Sequence, residues 1–253
     1  MNFSSHNIIV TGGANGIGLR IVKHFLERGA NVAVIDKDAA AGGALAAEHG
    51  VFFLHGDISE EAVLTRFADA VKARFGVVHA LVNNACLSRG GMLSGCSWDD
   101  FLHVQKVGVA APYFLTRCLM DAFAPGASVV NIASTRALMS QPDTESYTAA
   151  KGGIAALTHA LAASLAGRAR VNAISPGWID NAGQAFLEPD RLQHPAGRVG
   201  TPDDIAKLVL FLCGPDAGFI TGQNFVVDGG MTKLMIYHGD HGWRKGEEAT
   251  KET

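Results

Sequence analysis

A large excess of charge of either sign is missing from this chain. Its 21 Lys and Arg against 24 Asp and Glu leave a formal net charge of −3, and there is no basic block, so nothing predicts a nucleic-acid footprint. Cysteine is scarce. Cys86, Cys96, Cys118 and Cys213 stand without metal-ligand spacing, which argues against a metal module and for reduced thiols in a cytoplasmic protein. No apolar run reaches the ~18–20 residues of a membrane span, and no basic segment precedes the first apolar run, so no secretory leader is expected. No linker or internal repeat interrupts 1–235. Residues 238–253 are charged and read as a loose tail. Within it His238-Gly239-Asp240-His241 reads as solvated polar sequence, and no metal site is expected.

What is present is apolar and regularly punctuated. Hydrophobic residues make up 48% and charged residues 18% of 253, as expected for a sheet buried on both faces. Short β-branched runs (7–11, 31–35, 51–54, 80–82, 128–133, 170–174, 224–227) alternate with helical patterns. The helices include 39–49, 60–75 with Ser59 as its N-cap, and 98–122 with a bend at Pro112. Thr201 and Pro202 open another helix. Parallel strands need crossover connections, so the expectation is one α/β domain over 1–237. It is a doubly wound, mostly parallel seven-stranded sheet whose strand ends collect at a ligand crevice.

Chemistry gathers at those ends. Gly12, Gly16 and Gly18, with Asn15 and Ile17 between them, join the first strand to a helix and read as a phosphate cradle, since glycines admit close backbone approach and the helix N-terminus offers free N–H groups. Asp36 ends the second strand, where a carboxylate can accept both hydroxyls of an adenosine ribose and repels a 2′-phosphate. That points to NAD rather than NADP, with Lys37 the one complication and a loop-capping role for Asp36 the plainer alternative. Asp57, followed by Ile58, sits where it can bond the adenine amino group. Tyrosine is rare, at three residues, and only Tyr147 has a Lys four positions on. Tyr147 and Lys151 share a helix face, and an ammonium beside a phenol is expected to lower the phenol's pKa.

Thr11-Gly12-x-x-x-Gly16-Ile17-Gly18, Asn83-Asn84-Ala85, Ser134, Tyr147-x-x-x-Lys151 and Pro176-Gly177, with Ile220-Thr221-Gly222-Gln223 and Val227-Asp228-Gly229-Gly230, together resemble the short-chain dehydrogenase/reductase family over about residues 5–232. The resemblance implies a Rossmann-type fold, an NAD cofactor, a small-molecule substrate and a homotetramer paired through the helices from Trp98 and after Tyr147. It makes Tyr147 the acid/base. Lys151 holds the phenolate and the nicotinamide ribose, and Ser134 hydrogen-bonds the reacting oxygen. Asn83, the backbone at Ala85, Pro176-Gly177 and the backbone of Ile179 contact the cofactor. Three positions depart from the family pattern: Cys86 where Gly is common, Gln105 where an Asn is expected in the proton relay through Lys151, and Asn181 where many members have Thr.

Substrate choice in such a family lies in loops at 86–97, 135–146 and 178–200. Here these carry Ser88, Arg89, Arg136, Gln141, Asp143, Glu145 and His194 beside Met139, Trp178 and Phe186. Arg136, Gln141 and Trp178 are the candidate substrate contacts. The balance is polar, so the expected substrate is a small polar alcohol (a sugar, polyol or hydroxy acid). An apolar 3-hydroxyacyl or sterol substrate is the alternative. In another class altogether, the chain is a non-catalytic dinucleotide sensor.

Overall fold

The computed structural model describes residues 1–237 and 239–240. Of the tail expected at 238–253 only those two fall within it, and His238 and His241 lie outside the described residues. The elements in order are β1 (Asn7–Thr11), α1 (Gly16–Leu26), β2 (Asn31–Asp36), α2 (Ala39–His49), β3 (Phe52–His55), α3 (Glu61–Phe75), β4 (Val78–Asn83), α4 (Trp98–Gln105), α5 (Ala111–Leu119), β5 (Phe123–Ile132), α6 (Glu145–Ser164), β6 (Ala169–Pro176), α7 (Glu188–Leu192), α8 (Pro202–Cys213) and β7 (Asn224–Val227). Seven strands form one sheet in the order β3-β2-β1-β4-β5-β6-β7, and every pairing is parallel. The order reverses direction at β1 and β4, and a crevice opens above their C-terminal ends.

Strand alternation divides the core. On one face Ile8, Val10, Val34 and Val82 pack with Ile21, Val22 and Phe25 of α1 and with Ile205 and Val209 of α8. On the other, Ile9, Ile35, Leu81 and Val129 pack with Phe67 and Val71 of α3, Leu115 of α5 and Leu161 of α6. Successive strand residues point to opposite faces, so a run such as Ile8-Ile9-Val10 serves both. Each of these buried side chains contributes ~1.5–3 kcal/mol relative to exposure. No helix among the described residues is long and apolar enough to cross a membrane.

Two local expectations are corrected. The helix from Trp98 stays helical through Leu119 but not in one register: it widens into i→i+5 turns at Lys106–Ala110, with the Ala111 N–H donating to Lys106 O, before α5 resumes. Pro112 follows the widened turn directly, where the shifted register accommodates a residue with no N–H to give. Ser59 is not the N-cap of α3; Glu60 is, without a side-chain bond. Asp57 Oδ1 accepts from Ser59 N at 2.8 Å, and this turn holds Ser59 one residue outside the helix. Thr201 does stand at the N-cap of α8, its N–H and Oγ1 both donating to Asp204 Oδ2 at 2.7 and 2.9 Å.

Helices α1 and α8 are also clamped by charge. Arg20 Nε donates to Asp203 Oδ1 at 2.5 Å, and His24 Nε2 reaches the same oxygen. Arg20 first, then His24, hold the Asp203 carboxyl at a pKa of about 2, below its ordinary value of ~3.9. The clamp therefore stabilises the fold fully above pH ~4, and its contribution fades as pH falls towards 2. In thermal unfolding, Asp203→Asn is expected to melt below the parent at pH 6, and the two curves should converge near pH 2. A gap that persists at pH 2 would show the loss to be steric.

Candidate active site

A cavity of about 600 Å³ opens at the switch point, within the range of small-molecule sites. Its floor is the loop between β1 and α1. Gly12 has φ +64° and Gly16 φ +53°, a region that strains other residues. A Cβ on Gly12 would lie 2.8 Å from Ala85 Cα, and one on Gly18 only 2.0 Å from Gly12 O. The loop is therefore packed backbone on backbone and leaves the space above it open. Asn15 precedes α1 without a side-chain cap, so the first-turn N–H groups of Gly16, Ile17 and Gly18 stay available to an anion.

Gly12, Asn15, Gly16, Ile17 and Gly18 all line the cavity, as do Asp36, Asp57, Ile58 and Ala85. Asp36 Oδ2 accepts from Ala14 N at 2.9 Å and Oδ1 from Asp38 N at 3.0 Å, which fixes the carboxylate beside the loop with lone pairs to spare. Sequence reading missed one carboxylate of this wall. Asp38 accepts from Asn15 Nδ2 at 3.0 Å and adds a second carboxylate; its signal was an acid two positions beyond the strand. Asn84 donates from Nδ2 to Thr11 O and Gly12 O at 3.1 and 2.9 Å, tying β4 to the loop. Asn181 also lines the cavity, with Oδ1 3.1 Å from where a Gly16 Cβ would stand.

The residues at hand fit a dinucleotide: a cradle that any Cβ would fill, free helix N–H groups, and a carboxylate placed for a ribose. The cavity lies over the glycine loop and the ends of β2 and β3. Asn83 lies beneath rather than in the wall. It is buried, and Nδ2 donates to Asn131 Oδ1 at 2.8 Å across the sheet. Pro176 and Gly177 end β6 outside the wall, where a Cβ on Gly177 would stand 2.6 Å from Asp228 Cβ, and Ile179 bridges to Gly200.

Beyond the cavity, β5 and α6 bring the chemistry together. Ser134 follows β5, is 8% exposed, and accepts from Arg136 N at 3.1 Å as cap of a short 3-10 turn. Tyr147 and Lys151 stand one turn apart on α6. Lys151 is buried and donates from Nζ to Ile132 O at 2.7 Å, with Nζ 5.3 Å from the centre of the Tyr147 ring. The ammonium thus lies over the ring face, and in the protein alone the phenol is shifted up rather than in the expected direction. Burial pushes the Tyr147 pKa up, Cys86 adds to this, and only the Ser134 hydroxyl and the Arg136 charge pull it down. Burial likewise pushes Lys151 down.

Gln105 ends α4 beside the first turn of α6. Nε2 donates to Ser146 O at 2.9 Å, so the longer amide braces the first turn of α6 just before Tyr147. Asp143 and Glu145 are not free substrate contacts. Asp143 Oδ1 accepts from Leu93 N and Ser94 N, both at 2.9 Å, and Glu145 Oε2 from Met92 N at 3.2 Å. Ser146 Oγ donates to Gly90 O at 2.6 Å. These bonds latch loop 86–97 to loop 135–146. Arg136 is half-buried and bonds Gln141. Trp178 is 40% exposed and meets Phe186 edge-on at 5.3 Å. Cys86 is exposed at the same place. No group of three or more His, Cys, Asp or Glu among the described residues is placed to hold a metal.

Comparison with known proteins agrees with this layout. Residues 12–232 match the family model described as enoyl-(acyl carrier protein) reductase. An uncharacterized oxidoreductase of Thermotoga maritima is 42% identical over 247 residues, covering 90% of this chain and 96% of the relative. The NADP-dependent (R)-specific alcohol dehydrogenase of Lentilactobacillus kefiri is 32% identical over 240 residues, covering 88% and 95%. Among solved structures, an apo SCOR enzyme from Clostridium thermocellum superposes with a TM-score of 0.90 at 44% identity, covering 96% of this chain and 99% of the other. Fold, motif order and kinship converge on one conclusion: the chain belongs to the short-chain dehydrogenase/reductase family and is an oxidoreductase.

Proposed function

We propose that this chain is an NAD(H)-linked dehydrogenase that moves a hydride between the cofactor and a small polar secondary alcohol or its ketone, of the sugar, polyol or hydroxy-acid kind. Asp36 carries the cofactor half of that reading. Its carboxylate stands at the end of β2 in the wall beside the glycine loop, with Asp38 adding a second negative charge. Both repel a 2′-phosphate and accept ribose hydroxyls. Lys37 lies between them, exposed and in the same cavity wall, and offers one positive charge against their two negative ones. The kefiri relative uses NADP by name, so kinship leaves the choice to these side chains.

The bound dinucleotide supplies the hydride acceptor or donor. In oxidation Tyr147, as phenolate, takes the alcohol proton while the carbon releases its hydride. In reduction the phenol returns that proton to the oxygen. Ser134 donates its hydroxyl to the oxygen whose charge changes, and Lys151 stands beside the ring, fixed by Ile132 O. The polar side chains of the two latched loops support a polar substrate. The exposed Met92, Leu93, Leu138 and Met139 favour a second reading, in which an apolar 3-hydroxyacyl chain lies along that rim. On α4 and α5, Trp98 and Tyr113 are 75% and 48% exposed, which supports a homotetramer paired through that face.

Titration of the protein with NAD and with NADP tests the cofactor. NAD should bind ~100-fold more tightly, because like charges brought together cost several kcal/mol. Asp36→Asn should shrink the gap by at least ~10-fold, as expected for the loss of one close charge. Equal affinities in the parent would reverse the assignment.

A further inference from the structure

Around Ser134 and Tyr147 most charged groups have found partners. Asp143 and Glu145 spend their oxygens on backbone N–H groups of the opposite loop. Asp180 accepts from the N–H groups of Ala182, Gly183 and Gln184 in its own turn. Arg89 has Asp100 at 3.8 Å, and Lys151 is buried on Ile132 O. Arg136 is different. It sits two residues after Ser134, on the 3-10 turn that Ser134 caps. Its side chain is half-buried and bonds only the neutral amide of Gln141. Among the described residues it makes no ion pair. Two carboxylates within ten residues of it are turned the other way.

A guanidinium has five donors in a planar fork suited to two oxygens at once, and one held without an anion forgoes its strongest interaction. We propose that Arg136 receives an anionic group of the substrate, so that the alcohol or ketone taken at Ser134 and Tyr147 carries a carboxylate a few bonds from the reacting carbon. This deepens the dehydrogenase reading and rests on it. Within that reading it selects hydroxy acids and oxo acids over neutral sugars and polyols. Arg136 N donates to Ser134 Oγ at 3.1 Å, so the guanidinium is carried on the same short turn as the hydroxyl that meets the reacting oxygen. Gln141 holds the guanidinium in place while leaving its charge uncompensated.

Matched pairs decide it. Lactate, 3-hydroxybutyrate and 4-hydroxyvalerate would be assayed with NAD beside their methyl esters, both hands of each, in the parent, Arg136→Gln and Arg136→Lys. The readout is the ratio of kcat/KM for acid over ester within each protein, taken at several pH values, since the Arg136 charge also bears on Tyr147. The parent should favour at least one acid by roughly 10- to 100-fold, the size of one or two hydrogen bonds to a charged group. Arg136→Gln should bring that ratio near one through KM, and Arg136→Lys should keep part of it. Ratios near one in the parent, or a preference that survives Arg136→Gln, overturn the proposal. If no acid or ester is oxidised, the dehydrogenase reading for small alcohols fails, and melting of the NAD-loaded protein still judges Arg136. Acids that raise the melting point of the parent but not of Arg136→Gln support the anion site; no shift removes it.

Discussion

Tyr147→Phe is expected to lower kcat by about 10²–10⁴-fold, the usual worth of a positioned acid/base, and to weaken dinucleotide binding far less. Phenylalanine keeps the ring over which the Lys151 ammonium sits at 5.3 Å. Lys151 therefore retains its place and its bond to Ile132 O, and Ser134 its bond from Arg136 N. Only the oxygen that gains and loses the proton is removed. The same residue sets the pH dependence. Burial raises the phenol in the protein alone, so the phenolate needed for oxidation is the scarce form at neutral pH. Alcohol oxidation should rise as the medium becomes alkaline, and ketone reduction, which uses the neutral phenol, should hold at lower pH. A positively charged nicotinamide shifts the balance towards phenolate when it is bound. Steady-state rates from pH 6 to 10 in both directions test this. A variant that keeps a tenth of parental kcat, or an oxidation rate that falls with rising pH, would take the proton from Tyr147 and give it to another group.

Burial is also where sequence reading reached its limit. The strand–glycine–helix unit, Asp36 and the Tyr147–Lys151 spacing were legible because each is local. A β-branched run, a glycine cluster and a four-residue interval carry their meaning within a few residues. Parallel strands buried on both faces show as short apolar runs, so all seven could be placed, although their ends moved by up to five residues (β5 starts at Phe123 rather than 128). What failed depends on chain far away. The phenol rises because the fold closes over it, a fact absent from the Tyr-x-x-x-Lys interval. Asp143 and Glu145 look like free polar loop residues until the fold brings Met92, Leu93 and Ser94, some fifty residues earlier, against them. Gln105 matches an Asn in type, yet one more methylene and the widened turn at Lys106–Ala110 send its amide to Ser146 O. Even Asn83 and Asn84, adjacent and alike, divide by strand alternation: one bonds Asn131 beneath the sheet's end, the other grips the glycine loop.

The glycine loop yields the sharpest stability contrast. A methyl group on Gly18 would stand 2.0 Å from Gly12 O and 2.5 Å from Asn84 Nδ2. Neither neighbour can retreat freely, since Asn84 Nδ2 already holds Gly12 O at 2.9 Å and Thr11 O at 3.1 Å. Gly18→Ala should therefore push the β1–α1 loop off β4, at a cost of ~1–3 kcal/mol or more for overpacking, or a melting point lower by ~2–4 °C for each kcal/mol. Dinucleotide affinity should fall with it, because the displaced loop is the floor of the cavity. Gly43 supplies the opposite case. It lies inside α2, is exposed, and a Cβ there meets nothing within 4 Å. With helical backbone and open space, Gly43→Ala should stabilise by ~0.4–1 kcal/mol, chiefly by restricting the unfolded chain, and leave the cavity floor untouched. Measured together by thermal melts with and without NAD, the two alanines should move the melting point in opposite directions, with only Gly18→Ala reducing the shift that NAD produces. If Gly18→Ala keeps the full NAD shift, close backbone approach at Gly18 is not what shapes the cradle, and the N–H groups of α1 would have to bind the phosphates from a different loop geometry.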